Sequence, residues 1–172
     1  ERYSFDMLGE ASLTSADAAR HTERCAQAIA VVGAMASKGN DVLARPGISI
    51  KLSALHPRFA FAQRRRVLNE LVPRLVELAG QARAANVGIT IDAEEAELLD
   101  LTLDVFAAAL AAPALAGWDG FGIAVQCYLK RALPLFAWLA DLAAAHGTAL
   151  PVRLVKGAYW DAEIKRAQER GL

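Results

Sequence analysis

The sequence predicts an α/β protein built on parallel strands, and three observations lead to this prediction. Five short segments rich in β-branched or aromatic residues recur along the 172 residues, and longer segments with helical spacing separate them. Strand and helix alternate throughout, which is the pattern of parallel strands joined by right-handed crossovers. The repeat of roughly 34 residues is close to the roughly 31 residues per unit of an eight-unit barrel of about 250 residues.

A doubly wound sheet and a barrel are both compatible with this alternation. No GxGxxG run follows the first strand, which weakens the dinucleotide-binding interpretation. The unit length favours the barrel. We therefore expect residues 1–172 to form one partial domain of the (βα)8 TIM-barrel type, with about five strand–helix units and without the later strands. The chain opens at Glu1 without a methionine, so we expect it to belong to a longer polypeptide.

The five apolar segments are the predicted strands, and polar residues mark the ends of two helices. Thr14 and Asp17 form a capping pair that opens the first helix. Gly171 is placed to close the last one. The predicted strands are Tyr3–Leu8, Ile48–Leu52, Val87–Asp92, Phe121–Cys127 and Val152–Val155.

Two helices carry an apolar stripe that a sheet can cover. Pro73 lies inside the first of these two helices, where we expect a kink or a restart. Gly39–Asn40 and Pro46–Gly47 indicate a loop before the second strand. The stripes are Val67, Leu71, Leu75 and Leu78 in one helix, and Leu99, Leu103, Phe106 and Leu110 in the next.

The composition excludes several classes of function. With 55% hydrophobic residues, 22% charged residues and a formal net charge of +0, the chain has an ordinary globular composition without a basic stripe, so we expect no nucleic-acid contact. The most apolar stretch, Val105–Trp118, is interrupted by Pro113 and shorter than the roughly 18 to 20 residues that a membrane-spanning helix needs. The three histidines are scattered without ligand spacing, so we expect no metal site.

The two cysteines bear on the cellular compartment. Cys25 and Cys127 lie far apart between apolar neighbours, so we expect two buried free thiols rather than a disulfide. Free thiols fit a reducing compartment. The expected location is therefore cytoplasmic, with peripheral contact at the inner membrane face left open.

Polar side chains near the C-terminal ends of four strands are the candidate functional residues. Side chains alternate with period two along a strand, which places Lys51, Asp92, Gln126 and Arg153 on the face opposite the apolar residues of their strands. In a barrel that face points inward, and the C-terminal rim forms the active site. We therefore expect the four side chains to converge on one cavity.

Each of these residues also has a purely structural interpretation. Asp92 suits a helix cap, Lys51 a side chain that extends to solvent, and Gln126 a hydrogen bond to the backbone. Arg153 is the hardest to explain in this way, because it lies between apolar neighbours inside a strand. Burying an unpartnered cation costs several kcal/mol. Two cations near a carboxylate and an amide suit an anionic ligand or an electron-rich cofactor.

The segment after the fifth strand has features of a ligand-binding loop. Gly157 and Ala158 let the backbone approach a ligand closely, and Trp160 offers a flat wall. This short motif alone is a weak indication of a cofactor. A lysine at a barrel strand end could equally form a Schiff base with a carbonyl substrate.

Four runs of the sequence are specific enough to indicate a family: RYSFDMLGE, GISIKLSALHPRF, TIDAEE and VRLVKGAYWD. They resemble the proline dehydrogenase domain of bacterial proline utilization A, a bifunctional flavoenzyme, in the order of the family and across essentially the whole chain. The resemblance implies an FAD-dependent (βα)8 barrel that oxidises L-proline to Δ1-pyrroline-5-carboxylate by hydride transfer to flavin N5, the first step of proline catabolism. It also implies a quinone as electron acceptor and an aldehyde dehydrogenase domain in the same parent chain.

The resemblance also assigns roles to individual residues. It implies that Lys51 binds the substrate carboxylate, that Asp92 belongs to the polar network around the substrate, and that Glu10 pairs with a downstream arginine that gates the site. Gln126 and Arg153 are implied to lie by the flavin. The residues implied to line the flavin and its ribityl or phosphate groups are Val155, Lys156, Gly157, Ala158, Tyr159 and Trp160.

The residues fall into two expected sets. The catalytic set is Lys51, Asp92, Arg153, Glu10 and Tyr159. The cofactor-binding set is Asp92, Gln126, Arg153, Val155, Lys156, Gly157, Ala158 and Trp160. The later substrate and flavin residues of the family do not occur in these 172 residues.

One run departs from the family, and two other functions stay open. The chain has QCYLKR where the family has QAYQKR; we expect Cys127 to face the helices with little functional effect, and Leu129 has no assigned role. One alternative function is a Schiff-base aldolase-type barrel that uses Lys51 or Lys156. The other is a non-catalytic fragment that acts as a scaffold or interaction surface.

Overall fold

The computed structural model of the chain describes residues 3–9, 11–35 and 41–171. Strands and helices alternate along these residues, as the sequence predicts. They are β1 (Ser4–Asp6), α1 (Ser15–Met35), β2 (Gly47–Ile50), α2 (Leu52–Leu55), α3 (Arg64–Ala85), β3 (Gly88–Ile91), α4 (Leu99–Leu110), β4 (Phe121–Gln126), α5 (Ala132–His146), β5 (Val152–Val155) and α6 (Trp160–Glu169). None of the described helices is both long enough and apolar enough to cross a membrane.

The five strands form one parallel sheet in the order β1-β2-β3-β4-β5. Strands that follow one another in the chain are therefore neighbours in the sheet. A doubly wound sheet contains a point at which the strand order reverses, and no such point occurs between β1 and β5. The predicted α/β fold is confirmed, and the strand order is that of a barrel.

The sheet is curled, because side chains of strands that are not adjacent meet on its inner face. Arg153 of β5 donates a hydrogen bond to Ser49 Oγ of β2 at 2.6 Å, although β3 and β4 lie between these strands. In a flat sheet the two strands would lie roughly 14 Å apart with their side chains parallel. The contact therefore requires the curvature of a half-barrel.

The hydrophobic core lies between the outer face of this half-barrel and the helices. The predicted stripe of α3 is confirmed, because Val67, Leu71, Leu75 and Leu78 are all buried. The predicted stripe of α4 is only half correct. Phe106 and Leu110 are buried, but Leu99 and Leu103 are only partly buried, because they border an open groove between α4 and α5. The remaining core residues of α4 are Leu101, Val105 and Ala109.

The predicted helix ends are confirmed. The Thr14 backbone N–H donates to Asp17 Oδ2 at 2.9 Å, and the Asp17 N–H donates to Thr14 Oγ1 at 3.1 Å, which is a reciprocal cap of α1. Gly171 has a φ of +68° and its N–H donates to the Gln168 carbonyl at 3.2 Å, which ends α6. Residues 36–40, which include the predicted Gly39–Asn40 turn, lie outside the described residues.

The restart that was one of the two possibilities at Pro73 does not occur, and the expected end of the second strand is wrong. The helix α3 continues through Pro73 without a restart, because this residue lies on the exposed side, where water can hydrate the carbonyl that loses its partner. Leu52 is not the last residue of β2. The strand ends at Ile50, and Leu52 is the first residue of α2, where it is nevertheless buried.

The expectation of two buried thiols is half correct. Both cysteines are free, and Cys25 is buried in α1, where burial raises its pKa to about 11. Cys127 is exposed rather than buried against the helices. The reason is that β4 ends at Gln126, so Cys127 lies in the following turn, outside the alternation of the strand.

Gly122 in β4 lies against the backbone of the chain that leads into β5. A Cβ at this position would lie 2.4 Å from the Pro151 carbonyl oxygen, which also accepts the Ile123 N–H at 3.0 Å. We expect Gly122→Ala to push β4 and β5 apart and to lower the free energy of unfolding by about 1 to 3 kcal/mol in urea denaturation. The control is Gly80→Ala in α3, where a Cβ meets nothing within 4 Å. Equal urea midpoints for Gly122→Ala and the wild type would contradict this prediction.

Candidate active site

The C-terminal ends of β2 to β5 surround a cavity of about 270 Å³. The four strand-end residues that the alternation of side chains selects lie together in its wall. The lining consists of Lys51, Asp92, Ala93, Ala124, Gln126, Arg153, Val155, Gly157, Ala158 and Tyr159. The cavity therefore brings together side chains from four consecutive strands and from the segment that follows β5.

Asp92 lies between the two cations of the cavity. Arg153 Nη2 donates a hydrogen bond to Asp92 Oδ1, and Lys51 Nζ donates one to Asp92 Oδ2 at 3.4 Å. Lys51 Nζ also lies 3.9 Å from Asp6 Oδ2 at the end of β1. Each cation thus has a carboxylate partner, which removes most of the cost of placing it beside buried strands.

Burial and charge have opposite effects on the Asp92 carboxyl group. Its side chain is 8% exposed, and burial raises its pKa above the usual 3.8. The positive charges of Arg153 and Lys51 oppose this rise. The two cations therefore offset part of the cost of removing the Asp92 carboxyl group from water.

A second polar row crosses the inner face of the sheet and was not found by sequence reasoning. Ser49 Oγ accepts from Arg153 Nη1 at 2.6 Å and lies 3.0 Å from Ser4 Oγ. The row connects β1, β2 and β5 below the level of Asp92. Ser49 shares the inward face of its strand with Lys51, so the alternation contained the information, but a serine in a strand carries no distinctive chemistry.

Glu94 is a buried carboxyl group just beyond β3, and sequence reasoning missed it as well. The Ser53 N–H donates to Glu94 Oε1 at 3.1 Å, and the Ser53 hydroxyl donates to Glu94 Oε2. The Glu94 carbonyl accepts from Gln126 Nε2 at 2.9 Å. Glu94 therefore fixes the orientation of the Gln126 amide at the cavity wall.

Two buried polar atoms beside the cavity interact with each other, although neither forms a hydrogen bond of full geometry among the residues that the structure describes. They are Gln126 Oε1 and the Tyr128 hydroxyl oxygen. Buried polar atoms are nearly always hydrogen-bonded in proteins. The Gln126 Nε2 group is already used, and the Oε1 atom beside the Tyr128 hydroxyl has a second lone pair that a ligand N–H or O–H can satisfy.

The residues assigned to the cofactor divide between two depressions. Val155, Gly157, Ala158 and Tyr159 line the cavity. Lys156 and Trp160 do not, and they line a neighbouring groove of about 500 Å³ together with Tyr128, Glu163, Ile164 and Ala167. The segment from Lys156 to Trp160 therefore separates the cavity from the groove. Glu10, the remaining predicted site residue, lies outside the described residues.

The buried Glu94 carboxyl group gives stability a dependence on pH. Burial raises its pKa above the usual 4.5, so its contribution to stability is fully present below pH 4.5 and is lost as the pH rises through the raised pKa. We expect Glu94→Gln, which cannot ionise, to become progressively more stable than the wild type as the pH rises from about 4 to about 8. Urea unfolding across this range measures the difference, and Glu77→Gln on the exposed face of α3 is the matched control. If the difference in free energy of unfolding between Glu94→Gln and the wild type does not change with pH, ionising Glu94 in the folded protein carries no cost and the prediction is wrong.

Comparison with known proteins identifies relatives over the whole chain. Residues 1–172 match the family described as Proline dehydrogenase. The sequence is 52% identical over 171 residues to the bifunctional protein PutA of Salmonella typhimurium. The match covers 99% of this chain and 13% of that protein.

Two solved structures extend the comparison to the fold. A mutant of proline utilization A (PutA) from Bradyrhizobium japonicum has a TM-score of 0.95 and 58% identity, and the match covers 99% of this chain and 18% of that one. PutA from Bdellovibrio bacteriovorus, inactivated by N-propargylglycine, has a TM-score of 0.89 at 29% identity over 98% of this chain and 19% of that one. The chain thus spans less than a fifth of the length of these relatives.

Proposed function

Because the chain belongs to the proline dehydrogenase family of oxidoreductases, we propose that it forms part of an FAD-dependent site for L-proline. The reaction is the oxidation of L-proline to Δ1-pyrroline-5-carboxylate by hydride transfer to flavin N5, the first step of proline catabolism. The observation that carries the proposal is the cavity at the strand ends, where two fixed cations and an oriented amide face the same space. Residues 1–172 are then a partial barrel domain.

The residues at the cavity fit a flavin. Gln126 Oε1 is a buried acceptor with a lone pair left beside the Tyr128 hydroxyl, and an oxidised flavin ring carries an N–H donor. The Arg153 guanidinium, whose side chain is 38% exposed, supplies a cation. The groove beyond Gly157 offers room for the extended part of a dinucleotide, with Lys156 and Trp160 in its wall. When bound, FAD supplies a two-electron acceptor for the hydride.

Arg153 stabilises negative charge where it develops during the reaction. A bound flavin would gain electron density on reduction, and the fixed Arg153 guanidinium at the cavity would favour that reduced state. Asp92 and Ser49 hold the guanidinium in place before the reaction begins. Arg153 therefore needs little reorganisation, which is the condition under which electrostatic stabilisation is most effective.

Lys51 orients the substrate. Its side chain is 13% exposed and its ammonium group is held at the cavity by Asp92 and Asp6, both of which favour its charged form. A fixed ammonium binds a carboxylate and so directs the carbon that loses the hydride. We place Tyr159 in the wall of the same cavity, while the role of Glu10 stays a prediction. No general base is needed if the proline amine is neutral when the hydride leaves.

The Schiff-base alternative is not favoured by the surroundings of either lysine. A lysine must lose its proton before it can attack a carbonyl group. Lys51 lies 3.4 Å from Asp92 and 3.9 Å from Asp6, and both carboxylates oppose this loss. Lys156 lines the groove rather than the cavity. Borohydride reduction in the presence of a carbonyl substrate is therefore expected to label neither lysine.

The partners of the domain follow from the same proposal. We assign an aldehyde dehydrogenase domain to the same parent chain. A relative that is named bifunctional, and of which this chain covers only 13%, supports this assignment. A quinone is the proposed electron acceptor. The proposed location is cytoplasmic, with peripheral contact at the inner membrane face.

The visible spectrum of the protein tests the function directly. The longest polypeptide that contains this sequence is purified and its spectrum is recorded without oxygen, before and after addition of L-proline. Loss of the flavin band on addition of proline is the expected result. A flavin band that proline leaves unchanged would reassign the substrate, and the absence of any flavin would overturn the proposal. A polypeptide that folds without flavin would support the non-catalytic alternative.

A further inference from the structure

Tyr128 and Gly157 are packed against each other at the boundary between the cavity and the groove. Gly157 has a φ of +114°, a conformation that residues with a side chain rarely adopt. A Cβ on Gly157 would lie 2.2 Å from Cε1 and 2.3 Å from Cδ1 of Tyr128. The edge of the tyrosine ring therefore occupies the space that a side chain at position 157 would need.

Backbone pairing places the turn that carries Tyr128 beside the end of β5. Tyr128 lies in the turn after β4, where the Cys127 N–H donates to the Val155 carbonyl at 2.9 Å and so extends the pairing of the two strands. The ring thus stands where β5 passes into the segment 157–159. That segment lines the cavity, and Tyr128 lines the groove on its other side. A change in the position of the Tyr128 ring therefore changes the position of the cavity wall.

The ring rather than the hydroxyl group makes this contact. The buried Tyr128 hydroxyl lies beside the Gln126 side chain, whose hydrogen bonding opposes the rise that burial causes in the pKa of Tyr128. The atoms nearest to Gly157 are carbons of the ring. A phenylalanine at position 128 can make the same contact, whereas an alanine cannot.

We propose that Tyr128 is a positioning residue, whose ring, packed edge-on against Gly157, fixes the segment 157–159 as the flavin-side wall of the cavity. This inference rests on the proposed function, because that function assigns the segment to the cofactor. Without the ring, Gly157 gains access to other backbone conformations, since glycine has few steric limits. A displacement of about 1 Å in a reacting group can lower a rate by about 100-fold.

Two substitutions at position 128 separate the ring from the hydroxyl group. In the longest polypeptide that contains this sequence, Tyr128→Phe keeps the ring and loses only the hydroxyl beside Gln126, so kcat and KM for proline are expected to stay within a few-fold of the wild type. Tyr128→Ala is expected to lower kcat by about 10- to 100-fold, with a smaller change in KM and a shift of the flavin bands. Phe61→Ala, at an aromatic residue that is 56% exposed and outside the cavity lining, is the control. A wild-type kcat and spectrum for Tyr128→Ala, or equal losses for both Tyr128 variants, would overturn the proposal.

The partner position gives a second, independent measurement. Gly157→Ala is expected to lower flavin content sharply, because the new Cβ overlaps the ring and the backbone conformation is strained. The double variant Tyr128→Ala/Gly157→Ala is expected to recover part of this loss, because the overlap is gone although the strained φ remains. If the double variant loses as much flavin content as the two single variants combined, the proposed contact is overturned.

Failure of this inference and failure of the proposed function give different results. If proline does not bleach the wild-type flavin, the proposed function fails. The packing of the two residues is then still measured by a double-mutant cycle on the free energy of unfolding, which requires no substrate. A coupling between positions 128 and 157 supports the contact, and additive effects overturn it.

Discussion

Replacing Arg153 with methionine is expected to lower kcat for proline oxidation by about 100- to 1000-fold, the size of effect seen when one preorganised electrostatic group is removed from an active site. Methionine fills much of the space of the arginine side chain but has no charge. It also removes the donors to Asp92 and Ser49. Stopped-flow measurement of flavin reduction by proline gives the rate, and the flavin midpoint potential should fall in the same variant.

A surface arginine provides the matched control for this experiment. Arg131 forms an ion pair with Asp100, and the two side chains are 57% and 54% exposed. Exposed ion pairs contribute little, so Arg131→Met is expected to leave the rate of flavin reduction unchanged. An Arg153→Met enzyme that reduces its flavin at the wild-type rate would remove Arg153 from the catalytic set.

Replacing Lys51 with methionine is expected to raise KM for proline by roughly 10- to 150-fold, which corresponds to the loss of one hydrogen bond between charged groups. Lys51 contributes an ammonium group at the cavity that is held by Asp92 and Asp6. Its proposed partner is the proline carboxylate. Steady-state kinetics with L-proline measure the change, and Lys165→Met on the exposed side of α6 is the control.

A substrate without a carboxylate separates binding from a general effect on the site. Pyrrolidine has the ring and the amine of proline but no carboxylate, so Lys51→Met should react with it as efficiently as the wild type. Equal losses of kcat/KM on proline and on pyrrolidine would show that Lys51 acts by another route, for example by holding Asp92.

The strand-end residues of the site could be predicted because their positions follow from two simple rules. Side chains alternate along a strand, and the ends of parallel strands meet at one rim. These rules bring together Lys51, Asp92, Gln126 and Arg153, as the structure does. The strand order required the structure, because a doubly wound sheet obeys the same rules.

The residues that could not be predicted depend on contacts between distant segments. Ser49 belongs to the site because it accepts a hydrogen bond from Arg153, which lies 104 positions later in the chain. Glu94 belongs to it because it accepts one from Ser53, which lies 41 positions earlier. Neither partner is visible in the local sequence. Cys127 was misplaced for a different reason: the strand stops one residue earlier than its apolar pattern suggests, and the alternation of faces stops with it.

The sequential order of the strands has a consequence for synthesis of the chain. Each strand pairs with the one made just before it, so every unit that leaves the ribosome can dock at once on the units already folded. No strand has to wait for a later one to be inserted between its neighbours. While these five strands are being made, the growing sheet therefore has one fixed edge at β1 and one edge that moves to each newest strand, and the risk of wrong pairing moves with the nascent end.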